Sequence, residues 1–475
     1  MKPLPRMTRK YRVGAQGLFF DYYSGMPPDL KESKHQWYQQ VLDVIRENFD
    51  VIDGGLMCCV AAARESASQL AEENIDVLLL IPMMAAKADV GMESVRTAGA
   101  ALVIWNTHES VSLPPGYDAA ALVSHSGNVG TLALTNALLR EGKRFLLTTG
   151  HWQDVSARAQ VTQQLHSAAL ATSLSRLRLG MIGEPFEGML DVRLDDDVLA
   201  HNGLNSTSTI PVAVLQKTFA EVPDNVLLEE MACMKKSFSC ERLTSDSLHA
   251  SARLALALES VVKSNQLDGG AVNCHSAGWR EDPRLGVLGC YAVSRLTAQG
   301  IPFACTGDLC TGLAMVIAKR LSGTAFYCEV DLLDYATGQA LLSNSGEMDW
   351  SYSAVEREEL VPHSFYSTAN GVSAVVNGTL KHGPATLLAL TPLPGRRIRL
   401  IAALGQVLDR KAEALEISNC LFRFDRTPLH RAFSEWCRAG ANHHAVLMQG
   451  HHAETLQQIA ELRDWGFIAI EENRG

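Results

Sequence analysis

The sequence predicts an α/β protein with two doubly wound parallel-sheet domains followed by a β-rich C-terminal domain. Three observations support this fold class. Short apolar runs alternate with amphipathic stretches of helical period over the first two thirds of the chain, as in parallel βαβ units. After Gly323 the pattern changes to strands and turns. The chain also has 475 residues, which exceeds the usual size of a single hydrophobic core.

The first predicted domain covers residues 1–117. Its strongest signal is the continuous apolar run VLLLI, which is typical of a strand buried on both faces. The predicted strands are Tyr11–Ala15, Phe49–Asp53, Val77–Ile81 and Ala101–Trp105, and the predicted helices are Lys34–Asn48, Cys59–Glu73 and Gly91–Ala98.

The second predicted domain covers residues 118–323, where the same alternation continues. Its predicted strands are Arg144–Thr148, Leu179–Ile182 and Gly270–Val272, and its predicted helices are Val129–Arg140, Ser156–Leu177, Leu248–Ser264, Gly286–Gln299 and Gly312–Leu321.

The third predicted domain covers residues 324–475. It is predicted to be β-rich and to end in a tail that packs back onto an earlier domain. The predicted strands are Thr324–Val330, Gly371–Val376, Thr386–Thr391, Ile398–Gly405 and, in the tail, Phe467–Ile470, which follows a helix at Ala453–Trp465.

Composition and charge narrow the class of protein. A net charge of −10 argues against a general nucleic-acid binder. The longest apolar run is well short of the roughly 20 residues that cross a bilayer, and no apolar signal segment is visible at the N-terminus. The 11 cysteines are scattered, which favours a reducing compartment. We therefore expect a cytoplasmic enzyme with no membrane partner.

Common motifs for other chemistries are missing from the sequence. It has no Walker-type loop, GxSxG elbow, HExxH helix or GxGxxG fingerprint. Nucleotide binding, serine hydrolysis and zincin proteolysis therefore lose their usual support.

Two segments carry acidic residues at positions that favour function. Asp308, in ACTGDLCTG, stands between a predicted strand and a helix, where α/β sheets present functional groups; the alternative role is a helix N-cap. Glu329 and Asp331, in FYCEVD, would project from one face of a strand as a metal or acid/base pair, or as a solvated surface.

A third segment, GANHHAVLMQGHH, contains four histidines: His443, His444, His451 and His452. Imidazole is a common metal ligand and proton carrier. Since adjacent residues on a strand point to opposite faces, we expect one of His443 and His444 to be a ligand and the other a structural neighbour.

Several cysteines accompany these segments without forming a recognisable motif. Cys305 and Cys310 lack a second pair at zinc-site spacing, and Cys274 with His275 is not a catalytic dyad by itself. Burial as small apolar side chains is the favoured interpretation.

Six short motifs follow one another along the chain: AQG at residues 15–17, HSGNVG at 125–130, TGHWQD at 149–154, CTGDL at 305–309, FYCEVD at 326–331 and ANHHAVL at 441–447. Their order and spacing resemble those of the L-arabinose isomerase and L-fucose isomerase superfamily. The resemblance covers nearly the whole chain and specifies the superfamily better than the sugar.

The resemblance implies an aldose-ketose isomerase that acts on a free or substituted sugar through an enediol, with a divalent cation such as Mn²⁺. It also implies a homo-oligomer whose active sites lie between subunits. By this resemblance, Glu329, His443 and His444 are metal ligands, Glu329 and Asp308 are catalytic, and the substrate-binding residues are Gln16, His125, Thr306 and Asn344.

Two positions depart from the superfamily pattern. Thr306 stands where arabinose isomerases have a glutamate, and Asn344 or Ser345 stands where the superfamily has a histidine. The preferred account is a site rebuilt with Asp308, Asp331 or Glu347. The alternatives are metal-free sugar binding, a non-catalytic regulatory protein, and other chemistry on the same fold.

Overall fold

The computed structural model describes residues 10–23, 28–113, 115–366, 368 and 372–470. Within these ranges the chain forms two compact units. We call residues 10–175 and 454–464 the N-terminal unit, and residues 176–453 and 465–470 the C-terminal unit. The division into three domains stays a prediction.

The N-terminal unit contains a parallel sheet with strand order β2-β1-β3-β4-β5. Its strands are β1 (Arg12–Leu18), β2 (Asp50–Met57), β3 (Val77–Pro82), β4 (Ala101–Asn106) and β5 (Leu146–Thr149). Its helices are α1 (Leu30–Arg46), α2 (Val60–Glu72), α3 (Ala88–Ala98), α4 (Ala119–Ser124), α5 (Gly127–Arg140) and α6 (Val155–Leu174).

The central strand β3 shows why this sheet is covered on both faces. Successive side chains of a strand point to opposite faces. Val77 and Leu79 join a core cluster with residues of α1 and α6, whereas Leu78 and Leu80 join a second cluster with residues of α2, α3 and α5. The apolar run therefore reflects burial on two sides, and the doubly wound prediction is confirmed for this sheet.

The C-terminal unit contains a parallel sheet, a mixed sheet and a small two-stranded sheet. Its strands are β6 (Leu179–Ile182), β7 (Ser208–Ile210), β8 (Gly269–Val272), β9 (Phe303–Ala304), β10 (Phe326–Asp334), β11 (Gln339–Ser343), β12 (Glu359–Pro362), β13 (Ala374–Asn377), β14 (Gly383–Leu393), β15 (Arg397–Val407), β16 (Asn419–Phe424), β17 (His444–Gln449) and β18 (Gly466–Ile470).

The C-terminal unit also contains helices. They are α7 (Asp196–His201), α8 (Val212–Ala220), α9 (Asp224–Ser237), α10 (Ser245–Ser264), α11 (Ala277–Arg280), α12 (Cys290–Ala298), α13 (Leu309–Ser322) and α14 (Leu429–Ala439). The chain then forms α15 (Ala453–Arg463), which from residue 454 onward belongs to the N-terminal unit. Within that unit, Thr455 and Gln458 of α15 accept hydrogen bonds from Gln163 and Ser167 of α6.

The parallel sheet of the C-terminal unit has strand order β7-β6-β8-β9. The mixed sheet has the order β14-β17-β10-β11-β16-β15-β18, and a further pairing of β14 with β15 closes its antiparallel strands into a ring. The terminal strand β18 adds parallel to β15. The predicted fold class, parallel-sheet α/β followed by a β-rich C-terminal part, is confirmed.

Several predicted boundaries differ from the structure. Helix α13 begins three residues before the predicted Gly312, directly after the N-cap Asp308. Helix α12 begins at Cys290 rather than Gly286, whose φ of +48° is not helical. Gly371, the predicted first residue of a strand, lies outside the described residues.

Two further properties concern membranes and thiols. Among the helices that the structure describes, none is both long and apolar enough to cross a membrane. All eleven cysteines carry free thiols.

Candidate functional site

The three polar segments singled out from the sequence meet in the C-terminal unit. Strands β10 and β17 are antiparallel neighbours, and their register places Glu329 directly opposite His444. Directly opposed residues have neighbouring side chains on one face of the sheet. Asp308, just before the first residue of α13, hydrogen-bonds to His444 and so joins the other two segments.

His444 is the buried centre of this cluster, since its side chain is only 3% exposed. Its Nδ1 lies 2.8 Å from Oδ2 of Asp308, and its Nε2 lies 3.3 Å from Oε1 of Glu329. The ring of Tyr327 lies against it, with ring centroids 4.7 Å apart. Burial opposes the charged imidazolium, but the hydrogen bonds and charges of the two carboxylates raise the pKa of His444 to about 9.

Asp308 is fully buried and has two structural roles at once. Its Oδ1 accepts the backbone N–H of Thr311 at 2.8 Å, which caps α13. Its Oδ2 accepts the Thr311 hydroxyl at 2.6 Å and faces Nδ1 of His444. The N-cap alternative is confirmed, and capping does not prevent Asp308 from contacting His444. Because both oxygens are engaged, the geometry supports an orienting role; the catalytic role stays a prediction.

Glu329 is half-buried and faces Nε2 of the His444 ring. The hydrogen bond from His444 lowers the pKa of Glu329, so its carboxyl is ionised at neutral pH. Two positions along β10, Asp331 is exposed and accepts the Ser343 hydroxyl at 2.6 Å. The register of β10 against β11 shifts between Val330 and Leu332, so this stretch is not a regular strand.

His443 lies beside the same cluster, and which of the two adjacent histidines is a ligand and which a structural neighbour stays a prediction. Strand β17 begins at His444, so the alternation of side chains within a strand does not govern His443. The two imidazole rings lie with centroids 3.8 Å apart. Ligand atoms of Glu329, His443 and His444 all lie within 4.8 Å of one another.

Asp191 orients His443 as Asp308 orients His444. Its Oδ2 accepts the backbone N–H of His443 at 2.9 Å and lies 2.7 Å from Nδ1 of that ring. A carboxylate only accepts hydrogen bonds, so each histidine carries a proton on Nδ1, and Nε2 is the nitrogen that could bind a metal once any proton on it is displaced. Metal-binding histidines commonly have such a carboxylate partner. Sequence reasoning missed Asp191, because nothing near it marks a contact 252 residues away.

This donor set fits a divalent transition metal. Two imidazoles and an ionised carboxylate suit Zn²⁺, Mn²⁺ or Fe²⁺, and each imidazole is already held by a second carboxylate. The metal roles of Glu329, His443 and His444, and the identity of the ion, stay predictions.

Thr306 contacts Tyr327, whose ring lies against His444. Its φ of +53° is a left-handed conformation that is uncommon for a threonine. Its hydroxyl donates to the carbonyl of Cys305 at 2.8 Å and lies 3.4 Å from the Tyr327 hydroxyl. Tyr327 itself was not identified from the sequence, where it reads as a core strand residue.

Asn344 is buried and shapes the loop that carries Glu347. Its side-chain oxygen accepts the backbone N–H groups of Gly346 at 2.9 Å and Glu347 at 2.7 Å. That oxygen is therefore engaged in an Asx turn. Burial, with the charge of Cys274, raises the pKa of Glu347 to about 8, so this carboxyl is largely protonated at neutral pH.

The other predicted substrate-binding residues belong to the N-terminal unit. Gln16, in β1, is fully buried and donates to the Ser66 hydroxyl at 2.8 Å. Among the described residues, its side-chain oxygen has no hydrogen-bond partner. His125 ends α4 and stacks on Tyr117 with ring centroids 6.2 Å apart. The roles of Gln16 and His125 at a sugar stay predictions.

Comparison with known proteins gives consistent results over much of the chain. Residues 331–465 match the L-arabinose isomerase C-terminal domain. The L-arabinose isomerase of Salmonella arizonae is 24% identical over 350 residues, which cover 70% of this chain and 68% of that protein. The L-arabinose isomerases of Enterobacter sp. (strain 638) and Escherichia coli O139:H28 show the same identity and the same coverage of both chains.

The matched domain contains both histidines of the cluster, whereas Asp308 and Glu329 precede it. These matches support a remote relationship between this chain and the L-arabinose isomerases.

Proposed function

We propose that this chain interconverts an aldose and the corresponding ketose at the cluster of Glu329, His443 and His444. The observation that carries the proposal is the orientation of the two histidines. Each holds a carboxylate at Nδ1, and their ligand atoms lie within 4.8 Å of those of Glu329. This arrangement favours a bound divalent cation, for which we propose Mn²⁺.

A cation held by these three side chains would polarise the sugar carbonyl and acidify the adjacent hydroxyl. The protein's own side chains carry out the proton transfer and position the two histidines. Glu329 is ionised and partly accessible, so it is the group suited to take a proton from C2 of the aldose and return it to C1 of the enediol, while the proton lost from the O2 hydroxyl is restored on O1. Asp308 and Asp191 keep both imidazoles in the tautomer with the proton on Nδ1, and we assign them positioning roles.

The departures at Thr306 and Asn344 bear on which groups supply oxygen ligands to the cation. The Thr306 hydroxyl and the Asn344 oxygen both already have intramolecular partners. We therefore propose that the oxygen ligands of the cation come from Glu329 and from the sugar. Glu347 is a further candidate oxygen ligand. Gln16 and His125 would contact the sugar, in a homo-oligomer with active sites between subunits.

The engaged state of Thr306 and Asn344 also favours a second candidate function. With two expected ligands missing, the site would bind a sugar without turning it over, as a regulatory protein does. Saturable sugar binding without ketose formation in the presence of Mn²⁺ distinguishes this alternative.

The substitution Glu329→Gln tests the isomerase proposal. It keeps the shape of the side chain but removes the base and the anionic ligand, so we expect ketose formation to fall by about 100-fold or more, while sugar binding weakens modestly. Ketose formation is measured over pentoses, hexoses and deoxysugars with Mn²⁺ supplied.

Glu413→Gln is the matched control, because Glu413 is exposed in the same unit. Its activity should equal that of the wild type. Unchanged turnover in Glu329→Gln would show that the proton carrier is a different residue.

A further inference from the structure

A second cluster of metal-binding side chains lies in the C-terminal unit and shares no residue with the first. Cys274, His275 and Cys305 place a ligand atom each within 4.8 Å of the others. The sulfur atoms of Cys274 and Cys305 are 3.6 Å apart. Neither the sugar chemistry nor the similarity to arabinose isomerases gives these three residues a role.

The parallel sheet brings these side chains together. Strands β8 and β9 are adjacent and parallel, so Cys274 and Cys305, just beyond their carboxyl ends, emerge at the same edge. The turn after β8 is fixed by Asn273, whose Oδ1 accepts the backbone N–H of His275 at 3.1 Å and whose Nδ2 donates to the carbonyl of Glu184 at 2.8 Å. These two hydrogen bonds fix the backbone of the turn that carries His275.

The spacing of the two sulfur atoms fits a shared ion. Two thiolates bound to one tetrahedral Zn²⁺ at about 2.3 Å lie about 3.8 Å apart, which is close to the observed 3.6 Å. A disulfide requires a separation of about 2.05 Å. The side chains are therefore nearer to the geometry of a metal site than to that of a disulfide.

The three side chains differ in exposure. Both sulfur atoms are buried, whereas His275 is partly exposed, so the imidazole is the member of the cluster that solvent reaches.

We propose that Cys274, His275 and Cys305 form a structural site for a borderline-soft divalent cation, Zn²⁺, that clamps the carboxyl ends of β8 and β9. Binding releases the thiol protons to solvent and involves no oxidation. A water molecule from solvent takes the fourth position. Since Cys305 precedes Thr306, the ion would hold the segment that leads to Asp308.

Cobalt titration of the purified, fully reduced chain under anaerobic conditions tests this site. Co²⁺ bound to thiolates gives a charge-transfer absorption that Co²⁺ at Glu329, His443 and His444 cannot give, because that cluster contains no sulfur. We expect one equivalent of this absorption in the wild type and its loss in Cys274→Ser and Cys305→Ser. In His275→Gln the affinity should fall by more than the roughly 10–100-fold that outer-shell changes cost.

Two control variants separate this site from other thiols and from the sugar site. Cys437→Ser removes an exposed thiol, and Glu329→Gln removes a ligand of the first cluster; both should keep the absorption. Absence of the absorption in the wild type, or its persistence in Cys274→Ser and Cys305→Ser, would overturn the proposal.

Protection from alkylation gives a second test that needs no substitution. Zn²⁺ should slow the alkylation of Cys274 and Cys305 by about tenfold or more, while that of the exposed Cys59 and Cys437 is unchanged. Equal rates with and without Zn²⁺ would contradict the proposal. So would recovery of a peptide pair linked by a Cys274–Cys305 disulfide in place of a zinc-loaded protein.

Discussion

At the scale of single residues, the candidate site depends on carboxylates that never need to touch a substrate. Asp308 and Asp191 each bind the Nδ1 side of one histidine. This fixes a proton on Nδ1 of each imidazole and the way each ring faces. The pKa of His444 rises while that of Glu329 falls, because the two groups stabilise each other's charge in a partly buried setting.

The charge on His444 predicts a pH dependence of stability in the metal-free chain. Its pKa is raised from the ordinary 6.5 to about 9 in the folded state. The resulting stabilisation is fully present below pH 6.5 and is lost as the pH rises through about 9. Urea unfolding with a chelator present should show a loss of at most roughly 3 kcal/mol between about pH 6 and pH 10.

Asp308→Asn should reduce that pH-dependent loss, because asparagine keeps the cap of α13 but removes the charge that raises the pKa of His444. Asp154→Asn is the matched control, since Asp154 caps α6 through Ser156. A loss of the same size in Asp308→Asn and in the wild type would show that the pair does not carry the effect.

Asp191 allows a test of the positioning role on the other histidine. Asp191→Asn should weaken Mn²⁺ binding by about 10–100-fold, because His443 loses the charged partner that orients its ring. Titration calorimetry measures the affinity. Asp197→Asn, which removes an exposed partner of Arg396, should leave it unchanged. If the wild type, Asp191→Asn and Asp197→Asn bound Mn²⁺ with equal affinity, His443 would not be a ligand of the metal.

At the scale of elements, the site depends on a register and on a close approach. The register of β10 and β17 sets Glu329 opposite His444. The close approach is between α13 and β8: a Cβ added at Gly312 would lie 2.4 Å from the carbonyl oxygen of Gly270. This contact lets α13 pack closely against the parallel sheet, with Asp308 at its first turn.

Gly312→Ala should therefore destabilise the C-terminal unit by on the order of 2 kcal/mol and lower ketose formation, because α13 must shift and carry Asp308 with it. Thermal unfolding and the ketose assay check this together. Gly278→Ala is the control, since an added Cβ there meets no atom within 4 Å. If Gly312→Ala matched this control in stability, α13 would not be as tightly packed as the structure indicates.

Local patterns in the sequence predicted these segments but not their contacts. The helix at Asp308, the strand at Glu329 and the paired histidines are visible as patterns. The contact between His444 and Asp308 joins residues 136 positions apart, and the one between His443 and Asp191 joins residues 252 apart. Such contacts depend on strand order and register, which hydrophobic period does not encode.

At the scale of the whole molecule, the fold class was predictable because burial leaves strong signals. The run at Val77–Pro82 is apolar throughout, because β3 is covered on both faces. The ring formed by β14–β15 pairing left no such signal, since a closed sheet and an open one share the same alternation. Resemblance to a superfamily added the sugar and the cation, which composition and period could not supply.

The central claim is that Glu329, His443 and His444 hold a cation needed for aldose-ketose interconversion. The most direct measurement is ketose formation by the purified chain after chelation and again after Mn²⁺ is restored, over a panel of pentoses, hexoses and deoxysugars. The account predicts that activity with at least one aldose is lost on chelation and returns with Mn²⁺. Activity that survives complete removal of metal, or no turnover of any aldose with Mn²⁺ bound, would contradict it.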